Sequence, residues 1–241
     1  MPGSKTCIPP DDPPFASFEL TRPEVIAHRG FALRHPENTV DAFRAAVDLG
    51  VAGIELDVHA TADGVLVVHH DAHLTPNLGE EPEAIAAITW TEVRRRSALV
   101  PSLPEVLEAI PEDVTLYVEI KASGIERPVC NAIGRRPHCA VHSFDHRSIG
   151  RCRELAPALP RGVLMTSYLL DPAVPLRDTG SRDLWQHWEL IDEALVERIH
   201  SAGGRVIAWT VNSVDVARRL ARIGVAGICT DSSDTMLDAF S

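Results

Sequence analysis

Ionisable side chains in this chain gather in short clusters, each at the end of an apolar run: His28-Arg29-Gly30, Glu55-Leu56-Asp57, His70-Asp71 and Glu119-Ile120-Lys121, with Trp209-Thr210-Val211-Asn212 closing a later run. Residues two apart on a strand share a face, so Glu55 and Asp57 point the same way, as do Glu119 and Lys121. Three carboxylates aimed at one point repel unless a cation sits between them. Glu55, Asp57 and Glu119, an all-oxygen donor set with no Cys and few obvious His, would favour one hard divalent cation, Mg2+ or Ca2+, over zinc. The same E-x-D spacing is also common on solvated strand faces in ordinary salt bridges, and alone it leaves both readings open.

His28 beside Arg29 suggests an acid–base group next to a phosphate clamp, because the planar guanidinium matches phosphate oxygens with two parallel donors. Gly30 would let the backbone approach closely there. His70, at another strand end, is the candidate partner in proton exchange. Lys121 could neutralise a phosphate as a point charge, or simply pair with Glu119. Trp209 could wall a substrate or pack in the core. Pro36-Glu37-Asn38-Thr39 reads as a helix start, capped by Asn38 or Thr39, and a helix N-terminus facing the site would favour an anion. The remaining histidines read as structural, with His142 and His187 set apart because each lies near a strand end.

The elements that must position these groups alternate along the chain. Apolar runs expected as strands are Glu24–His28, Gly53–Val58, Thr115–Lys121, Cys139–His142, Gly162–Met165, Asp183–His187, Arg205–Trp209 and Gly227–Cys229. Helical patterns lie between them, among them Glu126–Ile133, His146–Leu155, Asp192–Ala202 and Val214–Ile223. About eight strand–helix units predict a parallel (β/α)8 TIM barrel, whose active site lies at the C-terminal strand ends. Val65–His70 is expected as a hairpin partner of the second strand after a turn at Asp63-Gly64, and Ala72–Val100 as a short insertion with weak helical pattern.

A length of 241 residues suits one such barrel, which typically takes roughly 250. Residues 1–22, with Pro9-Pro10-Asp11-Asp12-Pro13-Pro14, are expected as a flexible tail, and 23–241 as the barrel domain. The formal net charge of −11 argues against nucleic acid and against lasting contact with anionic membranes, while leaving a small anionic substrate possible. The five cysteines form no CxxC pair, and no secretory leader or spanning apolar run is evident, so reduced thiols in the cytoplasm are expected.

Taken in order, these segments resemble the glycerophosphodiester phosphodiesterase family. The matching pieces are the five clusters above together with Pro36-Glu37-Asn38-Thr39, Thr61-Ala62-Asp63-Gly64, Ser143-Phe144 and Gly227-Ile228-Cys229-Thr230-Asp231. The resemblance implies a TIM barrel that hydrolyses glycerophosphodiesters to glycerol 3-phosphate and an alcohol. It implies His28 and His70 as the acid–base pair, Glu55, Asp57 and Glu119 as metal ligands, and Arg29 and Lys121 as phosphate contacts. The chain departs from the family after His70-Asp71, where an Arg-Thr pair is usual and Ala72-His73-Leu74-Thr75-Pro76-Asn77 stands instead; the insertion is also short, which implies an open mouth. Two rival readings are a lysophospholipase D or sphingomyelinase D, which needs an apolar mouth, and a silent phosphate-binding barrel. The silent barrel predicts the loss of one of His28, His70, Glu55, Asp57 or Glu119, and all five are present. The leaving alcohol, the physiological ion, and the oligomeric state are not legible in the sequence.

Overall fold

Strands buried on both faces carry near-continuous apolar runs, and only a sheet covered by helices outside and filled within satisfies them. A computed structural model shows that arrangement and describes residues 22–74 and 81–241. The expected tail therefore lies, apart from Arg22, outside the described residues, as do Thr75, Pro76 and Asn77 of the loop after His70.

Eight parallel strands close the barrel: β1 (Glu24–Ala27), β2 (Gly53–Ala60), β6 (Thr115–Ile120), β7 (Cys139–Ser143), β8 (Arg161–Met165), β9 (Asp183–His187), β10 (Arg205–Trp209) and β11 (Gly227–Thr230). Each pairs with its neighbours in the barrel, and β1 pairs with both β11 and β2, which removes every parallel edge. Helices α1 (Val40–Leu49), α3 (Leu103–Ala109), α4 (Glu126–Ile133), α5 (His146–Leu155), α6 (Val174–Thr179), α7 (Glu193–Ser201), α8 (Val214–Arg222) and α9 (Ser233–Ala239) follow the eight strands in turn.

The period-2 alternation sorts each strand into two cores. One set, including Val25, Ala27, Ile54, Leu56 and Val58, packs outward on the helices. The other, Ile26, Tyr117, Ala140, Leu164, Trp185, Ile207 and Cys229, fills the barrel. Gly162 makes room there: a Cβ would lie 2.8 Å from the Trp185 ring. At the N-terminal end Arg205 closes the barrel through ion pairs to Asp183 (2.7 Å) and Glu24 (2.8 Å), and the Tyr117 hydroxyl joins them.

The hairpin partner is present as β3 (Leu66–Val68), antiparallel to the outer end of β2, and Gly64 sits at φ +81° in the turn before it. The insertion carries a two-stranded sheet of β4 (His73–Leu74) and β5 (Glu83–Ala84), then α2 (Trp90–Arg96) with a Thr89–Glu92 capping box. Val67, Leu74, Ile85, Ile88, Val93 and Val100 form its own small core. The weak helical pattern there is thus a real but short helix. The sequence pattern does not predict α6, since six residues with Pro175 in second place carry too little periodicity to read.

Candidate active site

The chain leaves β1 at His28 and turns sharply, with Arg29 left-handed at φ 55° and Gly30 at φ 85°. A Cβ on Gly30 would stand 2.7 Å from the Ala42 backbone, so glycine is what lets the turn lie against α1. The bend aims the Arg29 N–H at Glu55 Oε2, 3.2 Å away. His28 Nδ1 lies 2.7 Å from Asp231 Oδ1, and its Nε2 lies 4.0 Å from Glu55 Oε2. Burial works against a charge on His28, but the Asp231 hydrogen bond and Glu55 outweigh it and hold its pKa above the ordinary histidine value. Asp231 is fixed in turn by Asn212, whose amide donates to Oδ2 at 2.7 Å and whose carbonyl accepts from the Asp231 N–H at 3.0 Å.

The other histidine of the expected pair has a matching support. His70 Nδ1 lies 2.8 Å from Asp71 Oδ1, and this hydrogen bond lowers the Asp71 pKa, so the carboxylate accepts and Nδ1 carries the proton. His59 Nε2 reaches the His70 carbonyl at 3.1 Å. Both histidines line one pocket with Arg29, Glu55, Glu119, Lys121 and Trp209. Two larger hollows lie on the outer wall, one between α1, α2 and α3 and one on α5, and neither contains any of these groups.

Asp57 lies beneath that pocket, 1% exposed. Arg29 Nε stands 3.3 Å from its Oδ2 and Lys121 Nζ 3.4 Å from its Oδ1. Burial alone would raise its pKa, and Lys121, Arg29 and an Asn38 hydrogen bond bring it below the usual carboxylate range. Asn38, left-handed at φ 57°, grips Asp57 from both sides: its amide donates to Oδ2 at 2.8 Å and its carbonyl accepts from the Asp57 N–H at 3.3 Å. The helix cap is therefore Thr39, which accepts from the Ala42 N–H, and Asn38 holds the site instead. Arg29 Nη1 also donates to both carboxylate oxygens of Glu37, at 2.9 and 3.0 Å.

Glu119 is 3.0 Å from Lys121, yet burial and the nearby Asp57 push its pKa up to about 7. Among the described residues, Glu55, Glu119 and His142 bring their ligand atoms within 4.8 Å of one another. His142, on β7, is 1% exposed; its ring stacks on Trp185 with centroids 4.3 Å apart and planes 9° off parallel. Its Nε2 is 3.7 Å from Glu55 Oε1. Trp209 stands edge-on to Phe144 (5.4 Å) and to His187 (5.5 Å) at the rim, with its indole N–H buried and unpartnered.

All eight residues singled out in the sequence thus converge on the C-terminal mouth. Asp231 and His142 are additional members. Asp231 was visible only as the last residue of Gly227–Asp231, a carboxylate at a strand end, and His142 only by its place on a strand. His187 lies at the rim, against Trp209 and Trp188.

Fold and mouth together define a TIM-barrel phosphoric diester hydrolase. The model of the glycerophosphoryl diester phosphodiesterase family matches residues 28–128 and 129–235, and the chain belongs to that family. It is 32% identical over 234 residues to a glycerophosphodiester phosphodiesterase of Caldanaerobacter subterraneus, covering 89% of this chain and 96% of the relative. It is 30% identical to a glycerophosphodiester phosphodiesterase of Bacillus altitudinis, covering 88% and 95%. The fold is shared with an Oleispira antarctica phosphodiesterase solved with its product sn-glycerol-3-phosphate, at a TM-score of 0.82 and 24% identity, covering 90% of this chain and 96% of that one. Among the described residues no helix is long and apolar enough to cross a membrane.

Proposed function

We propose that this protein hydrolyses glycerophosphodiesters to glycerol 3-phosphate and an alcohol, with His28 and His70 exchanging protons and a divalent cation bound at the mouth. The observation that carries the reading is that two histidines, each held at Nδ1 by an aspartate, share one pocket with an arginine and a lysine. In each, the Nδ1 hydrogen bond fixes the tautomer and leaves Nε2 for proton transfer. His28, whose charged form is favoured, suits the proton donor to the departing alcohol. His70, nearer the open rim, suits the base. Arg29 and Lys121 would turn part of their charge from Asp57 to the phosphate oxygens, and Trp209 would bound the substrate.

The carboxylates fit a cation. Glu55 and Glu119 bring ligand atoms within 4.8 Å of each other, and Glu119 is pushed up to about 7 although Lys121 stands 3.0 Å away, so the protein's own cations leave the negative charge there incompletely balanced. Glu55, Glu119 and Asp57 would hold the ion, and carboxylates alone would select Mg2+ or Ca2+. When bound, the ion polarises the phosphoryl group and lowers the pKa of a nearby hydroxyl. The four described cysteines are free and buried, which suits a reducing cytoplasm. A panel of glycerophosphodiesters assayed with chelator and with restored cation tests this. Release of glycerol 3-phosphate only with metal is expected; full turnover after exhaustive chelation, or release of the alcohol as its phosphate ester, would exclude it.

A further inference from the structure

We propose that His142 is a nitrogen ligand of the metal centre, so that the site prefers a transition ion such as Mn2+ or Co2+ to Ca2+. The inference rests on the metal-dependent reading above and deepens it. Three observations converge. The ligand atoms of Glu55, Glu119 and His142 lie within 4.8 Å of one another, so a small side-chain adjustment brings all three onto one ion. The His142 ring cannot swing away: it is 1% exposed and stacked on Trp185 at 4.3 Å, and Nε2 already faces Glu55 at 3.7 Å. No hydrogen bond in the described structure accounts for the ring, since Nδ1 is buried without a partner and Nε2 is too far from Glu55 for one. A polar ring buried at the floor of a charged pocket is costly unless something engages it, and a cation between it and the two glutamates does so.

The third carboxylate behaves differently. Asp57 has Arg29, Lys121 and Asn38 about it. The donor set closest to a common point is therefore two carboxylates and an imidazole. Imidazole nitrogen binds Mn2+, Co2+ and Zn2+ usefully but adds little for Ca2+, which takes oxygen.

The test uses the whole protein, stripped of metal and titrated separately with Mn2+ and Ca2+ by calorimetry, as wild type, His142→Gln, His142→Asn and Glu55→Gln. Each variant is first shown to melt cooperatively, and the two His142 variants differ in bulk so that one remains readable if the other fails to fold. Wild type is expected to bind one Mn2+ at least about tenfold more tightly than Ca2+. The His142 variants should lose about 10- to 100-fold in Mn2+ affinity and under about threefold in Ca2+ affinity. Pulsed EPR of the Mn2+ protein should show coupling to an imidazole nitrogen in wild type and none in His142→Gln. Unchanged Mn2+ affinity and unchanged nitrogen coupling in the His142 variants would overturn the assignment while leaving the metal centre in place. Mn2+ and Ca2+ binding that survives Glu55→Gln unaltered would instead overturn the metal centre itself, and this inference with it.

Discussion

Asp231 and His28, 203 residues apart in the chain, meet at 2.7 Å where the last barrel strand closes against the first. Closure of the barrel, and nothing local, makes this pair. Asp231 touches no reacting atom in the proposed reaction; it positions His28 by fixing Nδ1–H and favours the charged ring. Asp231→Asn should therefore lower kcat/KM by roughly 10²–10⁴-fold. It should also move the limb of the pH–rate profile that reports His28 to lower pH, because the negative charge that raises the His28 pKa is gone. An unshifted limb with reduced activity would mean that Asp231 acts only on structure.

The raised pKa of Glu119 has a signed consequence for stability in the metal-free protein. An ordinary glutamate titrates near 4.5, and Glu119 is pushed up to about 7 in the fold. Between those values the folded state binds more protons than the unfolded one, so stability falls as pH rises through that window. The loss is on the order of 1–3 kcal/mol. Thermal melts of metal-free protein at pH 5 and pH 8 should show it, and Glu119→Gln should flatten the difference. A wild-type protein whose melting temperature rises over this window for reasons that Glu119→Gln leaves untouched would contradict the assignment.

Asp57 should respond in the opposite direction. Its carboxylate balances Arg29 and Lys121 and accepts from Asn38, so Asp57→Asn strands buried cations rather than relieving repulsion. Metal-free Asp57→Asn should be less stable than wild type, by less than the roughly 3–5 kcal/mol of a wholly buried pair, since Arg29 and Lys121 keep some solvent contact. Denaturant unfolding of the metal-free proteins checks this. Equal or greater stability in the variant would show that repulsion from Glu55 and Glu119 dominates.

In the proposed reaction, two histidines flanking one phosphate would suit a two-step route. One would take the proton of the substrate's own glycerol hydroxyl, which attacks phosphorus, while the other would protonate the departing alcohol. Water would then open the cyclic phosphate with the roles reversed. An intramolecular hydroxyl has a large entropic advantage over water. A glycerophosphodiester analogue lacking the hydroxyl next to the phosphoester carbon should bind normally and turn over extremely slowly. His28→Ala and His70→Ala should each lose most activity, with far less than additive losses in the double variant. Cleavage of the deoxy analogue at nearly the normal rate would exclude the cyclic route and leave water as the attacking group.

The sequence by itself determined the barrel and the residues at its mouth. Both depend on local regularities: apolar runs alternating with helical periodicity fix the strand–helix order, and a two-residue repeat fixes which side chains share a strand face. The strand-end clusters at His28-Arg29, Glu55-Asp57, His70-Asp71 and Glu119-Lys121 were therefore legible, and they lie where such a barrel places its active site. Only the tertiary structure decided how those charges are partnered. Register between distant strands sets Asp57 opposite Glu119, brings His142 beside Glu119 and so to Glu55, and carries Arg29 and Lys121 onto Asp57. A spacing rule cannot see across strands, so three carboxylates on one face read as mutual repulsion. In the fold one of them is held charged between two cations, one has its pKa pushed up to about 7, and one faces a histidine, because each group's electrostatics is set by neighbours within a few ångströms, most of them tens to hundreds of residues away in the chain.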